Sequence, residues 1–480
     1  MALRTEHDSL GSLDLDDVKL YGIHTARALA NFGGNGPLVP EEILRAMVEV
    51  KKAAVLANRD GGFMEPKKAG AVLAACEKIL SDGISAWREH FPLPAHQGGA
   101  GTSVNMNVNE VIANLAIAEL GGRRGDYSLV HPNDDVNRFQ STNDVFPTAV
   151  RIACVRAMLS LADSLARLQE AFQTKEHEFA AILKVGRTEM QDAIPVTLGQ
   201  EFGAWAEAVA RDRWRCFKCE ERLRQVNIGG TAVGTGVNAP KLYIFKVIEH
   251  LRSVTGLGLA RAENMVEATQ NADVFVECSG ILKACASNFV KISHDLRLLS
   301  SGPSAGFGEI VLPPVQAGSS IMPGKVNPVI PEFAAAAGIQ VMGLDASTGF
   351  AASQGQLELN AFLPLIAWNF LESARLLREA ADALAAKCVA GIAADAGRCA
   401  ELLSDSGALA TLLSPYVGYE KAAEIILRAR ENGKSVLEEA IAGGEFTRAE
   451  LEAVFDPRKA TSPGIAGADT LKGRLDLLGK

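Results

Sequence analysis

The sequence predicts a mainly α protein built on unusually long, packed helices. Three observations carry that expectation. Aromatic residues make up only 6% of the 480-residue chain while Ala and Leu abound, which favours helix-on-helix packing over a sheet sandwich. Val155, Leu159, Ala162, Leu165, Leu168 and Phe172 recur at steps of three or four, so a helix over 149–179 puts them on one face. Similar patterns run over 200–226, 271–299 and 332–387. Helices of that length bury wide apolar faces in a bundle or against other subunits.

Gly and Pro cluster between these stretches, at 98–103, 131–143, 186–195, 229–240 and 301–331. The last break is long for a compact protein, and a loop of that size is usually functional or disordered. Its apolar, weakly charged content argues against disorder. From Asp395 the pattern shortens into small helices stopped by Gly433, Gly443 and Gly444. Three regions follow: a mixed, mostly helical N-terminal domain over 1–143, a central helical bundle over 144–394, and a small helical C-terminal domain over 395–480.

The balance of 57 acidic against 48 basic residues, with no long basic run, gives a nucleic-acid role little support. The N-terminal stretch MALRTEHDSLGSLDLDD lacks the apolar core of a signal peptide, and no uninterrupted apolar run reaches membrane-spanning length. The expectation is a cytoplasmic protein acting on a small molecule, with no nucleic-acid or membrane partner. Eight scattered cysteines read as reduced thiols. Cys216 and Cys219 have CxxC spacing, but no second Cys or His pair lies nearby, so ordinary helix packing is expected there.

Four polar loops stand out. GGAGTS supplies Thr102 and Ser103; QSTND supplies Ser141, Thr142 and Asn143; GRTEMQD supplies Thr188 and Glu189; GSSIMPGKVNP supplies Ser319, Ser320, Lys325 and Asn327. Hydroxyl, amide and cationic donors beside glycine suit carboxylate binding and oxyanion stabilisation. Any one loop alone reads more simply as turn and cap chemistry; four of them at the ends of long helices favour a site. Cofactor motifs fail on inspection. GGTAVGTG (229–236) follows no strand pattern, so a dinucleotide loop is weak. Lys325 follows Gly324, but Val326 replaces the Ser/Thr of a P-loop and Gly318 is one residue too far upstream. No HExxH and no histidine spacing for a metal occurs, and no GxSxG elbow is present. No cofactor and no metal are expected.

GSSIMPGKVNP (318–328) is very similar to the signature of the aspartase/fumarase superfamily. QGGAGTSVNMNVNE (97–110), HPNDDVNRFQSTND (131–144) and GRTEMQDAIPVTLGQEF (186–202) resemble that family's other shared regions, in the same order. The resemblance begins at YGIHTARA (21–28) and runs to near Phe455. It implies a three-domain subunit with a central long-helix bundle, four of which form a homotetramer with a twenty-helix core, each active site being shared by three subunits. The implied chemistry is anti elimination next to a carboxylate. Ser319 would be the base, forming an aci-carboxylate intermediate. Thr102, Ser141, Thr142 and Ser320 would donate to the substrate, Lys325 and Asn327 would hold its other carboxylate, and Thr188 and Asn143 would lie near the leaving group. By the same resemblance the 301–331 loop closes over substrate.

Within the family the chain resembles aspartases more than fumarases, so reversible loss of ammonia from L-aspartate to give fumarate is the expected reaction. Two departures keep alternatives open: a fumarase, or an amine-releasing lyase for another, cationic amino-acid derivative. Glu189 stands where relatives carry His or Gln, and Phe362-Leu363 resembles fumarases. Glu332 matches the position of a supporting carboxylate that faces residue 189. Two close carboxylates need a cation between them, and a substrate ammonium would serve.

Overall fold

The computed structural model describes residues 2–34 and 36–475. The chain opens with an antiparallel hairpin, β1 (Leu3–Asp8) and β2 (Gly11–Asp16), followed by helices α1 (Ile23–Phe32), α2 (Glu41–Asp60), α3 (Pro66–Asp82) and α4 (Thr102–Glu119). The long helices are α5 (Thr142–Glu178), α6 (Leu198–Leu223), α9 (Asp273–Leu299), α10 (Val329–Ala352) and α11 (Leu363–Lys387), with α7 (Lys241–Thr255) and α8 (Met265–Gln270) between the second and third of these. A second hairpin, β3 (Leu183–Thr188) and β4 (Gln191–Thr197), joins α5 to α6. Short helices α12 (Ala396–Asp405), α13 (Ala410–Val417), α14 (Tyr419–Asn432), α15 (Val436–Ala442) and α16 (Arg448–Val454) follow.

The chain divides into two compact units. One holds the chain up to Ala162 with Trp214–Ala286 and Gly338–Arg378; the other holds Asp163–Arg213, Ser287–Ala337 and the chain from Glu379. The first unit is centred on α2, whose Met47, Val48, Val50, Ala54 and Val55 are fully buried among α3, α4 and α7. In the second unit Phe172, Phe179, Phe202 and Trp205 form an aromatic cluster with centroids 4.7–6.1 Å apart. A separate core of Leu413, Ile425, Val436, Phe446 and Leu451 holds the short helices together.

Two helix boundaries differ from the sequence expectation. Helix α5 starts at Thr142, seven residues early, and runs through Pro147. Proline has no N–H to donate to the carbonyl four residues back; Asn227 Nδ2 donates to that carbonyl, of Asn143, at 2.9 Å. The single helix expected over 332–387 is two helices. Asn360 explains the break: its Nδ2 donates to the carbonyls of Ala351 and Ala352 at the end of α10, at 3.1 and 3.0 Å, while its Oδ1 accepts the N–H of Phe362 at the start of α11. A third difference is small. A two-residue strand, Gln225–Val226, does precede the 229–236 loop, pairing in parallel with Ala260–Arg261.

By length and composition α5 and α10 could each cross a membrane. The most apolar window of α5, a helix interrupted by Arg151 and Arg156, is 78% buried within the protein; that of α10 is only 39% buried. Exposed Phe333, Ile339 and Phe350 lie along α10. All eight cysteines are free and buried, including Cys216 and Cys219 in α6.

Candidate functional site

The first polar loop is shaped by three consecutive left-handed residues, Gly99, Ala100 and Gly101, with φ of 86°, 54° and 93°. Gly101 is obligatory: a Cβ there would lie 2.5 Å from the Phe146 ring. The loop delivers Thr102, exposed, to the first turn of α4.

The second loop forms one wall of a cleft of about 760 Å³ in the first unit, lined by Ser141, Thr142, Asn105, Asn137, Gln140 and Thr231 among others. The buried carboxylate of Asp144 braces it. That group accepts the N–H of Ser141 at 2.9 Å and those of Gly229 and Thr231 at 3.0 Å, tying the glycine-rich 229–236 loop to the start of α5. Burial pushes the Asp144 carboxyl up to about 7, against the pull of those three amides. Asn143 faces elsewhere: its Nδ2 donates to the Ala232 carbonyl at 2.8 Å, and it lines a small void with Arg151 and Asn360 instead of the cleft.

Beneath the cleft lies a buried polar layer that sequence reading missed. Lys51, fully buried, donates to Asn137 Oδ1 at 2.8 Å and Gln140 Oε1 at 3.0 Å. Asn137 Oδ1 also accepts from Asn105 and Asn109, and Asn105 donates to Thr142 Oγ1 at 3.1 Å. Burial pushes the Lys51 ammonium down to about 7, with Asp144 opposing. The Oδ1 atoms of Asn105, Asn107 and Asn109 have no hydrogen-bond partner among the described residues. The signal was available in NMNVNE: asparagines at alternate positions of a helix buried nearly all round.

The third loop is the β3–β4 turn. Thr188 pairs with Gln191 across a two-residue connection, Glu189 and Met190, both with positive φ (52° and 65°). Hairpins prefer such turns, but with Asn or Gly at these positions. A strained Glu-Met pair at an exposed tip points to a role for the side chains beyond turning the chain. Thr188 and Glu189 are both exposed.

The fourth loop is held by its own backbone. Gly318 N–H donates to the Lys325 carbonyl at 2.9 Å, and Asn327 Nδ2 donates to the Gly318 carbonyl at 2.8 Å. A Cβ on Gly318 would meet Asn327 N and Lys325 O at 2.7 Å, so only glycine closes this turn. Ser319 Oγ accepts the N–H of Ile321 at 3.2 Å and of Met322 at 2.9 Å. Lys325 and Asn327 line a cleft of about 990 Å³ in the second unit with Glu332, Arg297, His294 and Asp395. The Lys325 ammonium is exposed and makes no ion pair among the described residues. Ser319 and Ser320 do not line that cleft. Glu332 does, and it has a cation that the sequence did not reveal: Arg297, at 3.6 Å.

The structure thus groups Ser141 with Thr142, and Lys325 with Asn327 and Glu332, in separate clefts of one chain; Thr102, Asn143, Thr188, Glu189, Ser319 and Ser320 line neither. Among the described residues no group of three His, Cys, Asp or Glu side chains converges as a metal site.

Comparison with known proteins identifies the family. A family described as "Lyase" matches residues 13–343, and one described as "Fumarase C C-terminus" matches 409–462. The aspartate ammonia-lyase of Helicobacter pylori is 43% identical over 96% of this chain and 98% of its own. That of Escherichia coli is 42% identical over 96% of each chain. A Brucella melitensis structure described as fumarate lyase:delta crystallin, with cobalt bound, is 47% identical. It has a TM-score of 0.92 and covers 96% of this chain and all of that one. Class II fumarase from Schistosoma mansoni is 34% identical with a TM-score of 0.89, over 95% and 98%.

Proposed function

This chain belongs to the aspartase/fumarase superfamily of lyases, and on that footing we propose that it removes ammonia from L-aspartate, reversibly, to give fumarate. The observation that carries the chemistry is the Ser319 turn. A proton next to a carboxylate is very weakly acidic, so its removal needs a strong base and fixed donors for the charge that develops. Two backbone N–H groups already point at Ser319 Oγ and favour its alkoxide over its alcohol.

In this reading Ser319 takes the proton from the carbon beside one carboxylate, and the electron pair spreads into that carboxylate as an aci-carboxylate. Thr102, Ser141, Thr142 and Ser320 donate to the doubly charged group. Lys325, without an acidic partner among the described residues, and Asn327 hold the other carboxylate. The ammonium leaves from the opposite face, near Thr188, Asn143 and Glu189, with Glu332 in support. No step calls on a cofactor.

We also propose a homotetramer whose sites draw on three chains. Two things support it: Ser141–Thr142 and Lys325–Asn327 line separate clefts, and Phe333, Ile339 and Phe350 leave apolar side chains on α10 exposed, of a kind that association covers. The three-region division at 143/144 and 394/395 and a cytoplasmic location belong to the same proposal. Of the alternatives, loss of water from malate is favoured by Phe362-Leu363, and loss of an amine from another, cationic amino-acid derivative by Glu189. Incubating the protein with fumarate and ammonium and analysing the product by NMR tests the choice. L-aspartate is expected; malate formed equally well without ammonium would assign hydration instead.

A further inference from the structure

Outside the clefts, the second unit contains a buried ion cluster that the proposed chemistry does not use. Glu309 is completely buried. Arg187 Nη1 donates to both of its carboxylate oxygens at 3.0 Å, and Lys184 Nζ, itself 1% exposed, lies 3.3 Å from one of them. Lys184 also donates to Glu201 at 2.9 Å and to the Val185 carbonyl at 3.2 Å. The Arg187 guanidinium lies over the Phe307 ring, 4.1 Å from its centroid.

The backbone of Glu309 is tied as firmly as its side chain. Its N–H donates to the Leu299 carbonyl at the end of α9, and its carbonyl accepts the Asp395 N–H, both at 2.9 Å. One residue therefore contacts the base of the β3–β4 turn through Arg187 and pins, by its backbone, the 301–331 segment in which Ser319 lies. Arg187 immediately precedes Thr188 and the strained Glu189-Met190 turn, and Glu309 begins the segment that leads to Ser319. Two cations face two carboxylates here: removing Glu309 leaves the Arg187 guanidinium without its carboxylate, and removing Arg187 leaves Glu309 with Lys184 alone.

We propose that Glu309 is a positioning residue: through Arg187 it fixes the Thr188–Glu189 turn, and through its backbone it fixes the root of the Ser319 loop, so the two loops shift together. The kinetic consequence rests on the aspartate reading above; the mechanical coupling does not.

The test compares wild-type full-length protein with Arg187→Lys and Glu309→Gln, by hydrogen–deuterium exchange at 187–192 and 312–328 and by kcat and KM for L-aspartate. Arg187→Lys keeps the charge but loses the planar guanidinium that stacks on Phe307 and holds Nη1 between the two Glu309 oxygens. It is expected to fold even if Glu309→Gln, which strips Arg187 of its carboxylate, does not. Exchange should quicken about tenfold in both segments. KM should rise about tenfold with a smaller change in kcat, as when binding geometry is lost. Faster exchange confined to 187–192 would overturn the coupling, as would an unchanged KM in a wild type that turns over aspartate. Coupled exchange in a protein inert toward aspartate would leave the positioning role standing and remove the proposed substrate.

Discussion

Ser319 Oγ sits 2.9 Å from the amide nitrogen of Met322 and accepts its hydrogen. With the Ile321 amide at 3.2 Å, this makes a small backbone cradle that stabilises negative charge on that oxygen. Ser320, its neighbour, has no such cradle and is exposed. Ser319→Ala should therefore lower turnover roughly 10²–10⁴-fold, the usual worth of a positioned base, with the assembly intact by light scattering. Ser320→Ala should cost much less. Near wild-type turnover in Ser319→Ala would remove the base from this position.

The exposed ammonium of Lys325 makes a second prediction. A charge-assisted bond to a carboxylate is among the stronger polar contacts. Lys325→Ala should weaken succinate binding by about ten- to a hundredfold, measured by calorimetry. Unchanged affinity would mean that the lysine is merely solvated.

How much of this was legible in the sequence depended on distance along the chain. The long helices declared themselves through apolar spacing, and the Ser319 turn through a contiguous string. The break between α10 and α11 did not, because Leu359, Phe362 and Leu363 continue a helical spacing while Asn360 caps both ends. Pro147 hid the start of α5, since its missing bond is made good by Asn227, far away in sequence. The same reason hid the partner of Glu332 and the 122-residue link between Arg187 and Glu309. Long-range polar partners leave no local pattern. The buried lysine under the Ser141–Thr142 cleft was missed because it sits in a run that reads as an ordinary helix.

That lysine makes a prediction about pH. Burial holds Lys51 at about 7 in the folded protein, against 10.5 for the free side chain. Between those values the unfolded chain binds a proton that the folded protein does not, so stability falls as pH drops from about 10.5 to about 7 and is level below. Lys51→Met lacks this slope. Denaturation of the two proteins at about pH 7 and about pH 10, at the foot and near the top of that window, should show wild type gaining on the variant at the higher pH. Parallel behaviour would place a charged Lys51 in the folded state throughout.

If sites draw on several chains, two inactive variants should rescue each other. Ser319→Ala and Thr188→Ala proteins, mixed under conditions that exchange subunits, should regain part of the wild-type rate, because some sites then combine intact loops. Exchange proven by mass spectrometry, with no activity regained, would argue that each site lies within one chain.

The central claim is an amine leaving group. Glu189, on a strained turn at the proposed leaving-group end, suits an ammonium and offers nothing to a neutral hydroxyl beyond an acceptor. The direct measurement follows the absorbance of the newly formed double bond with L-aspartate, L-malate and a panel of other amino acids at equal concentration. L-aspartate should react fastest, with malate turned over slowly or not at all. Malate outpacing every amine would contradict the account and make the protein a fumarase.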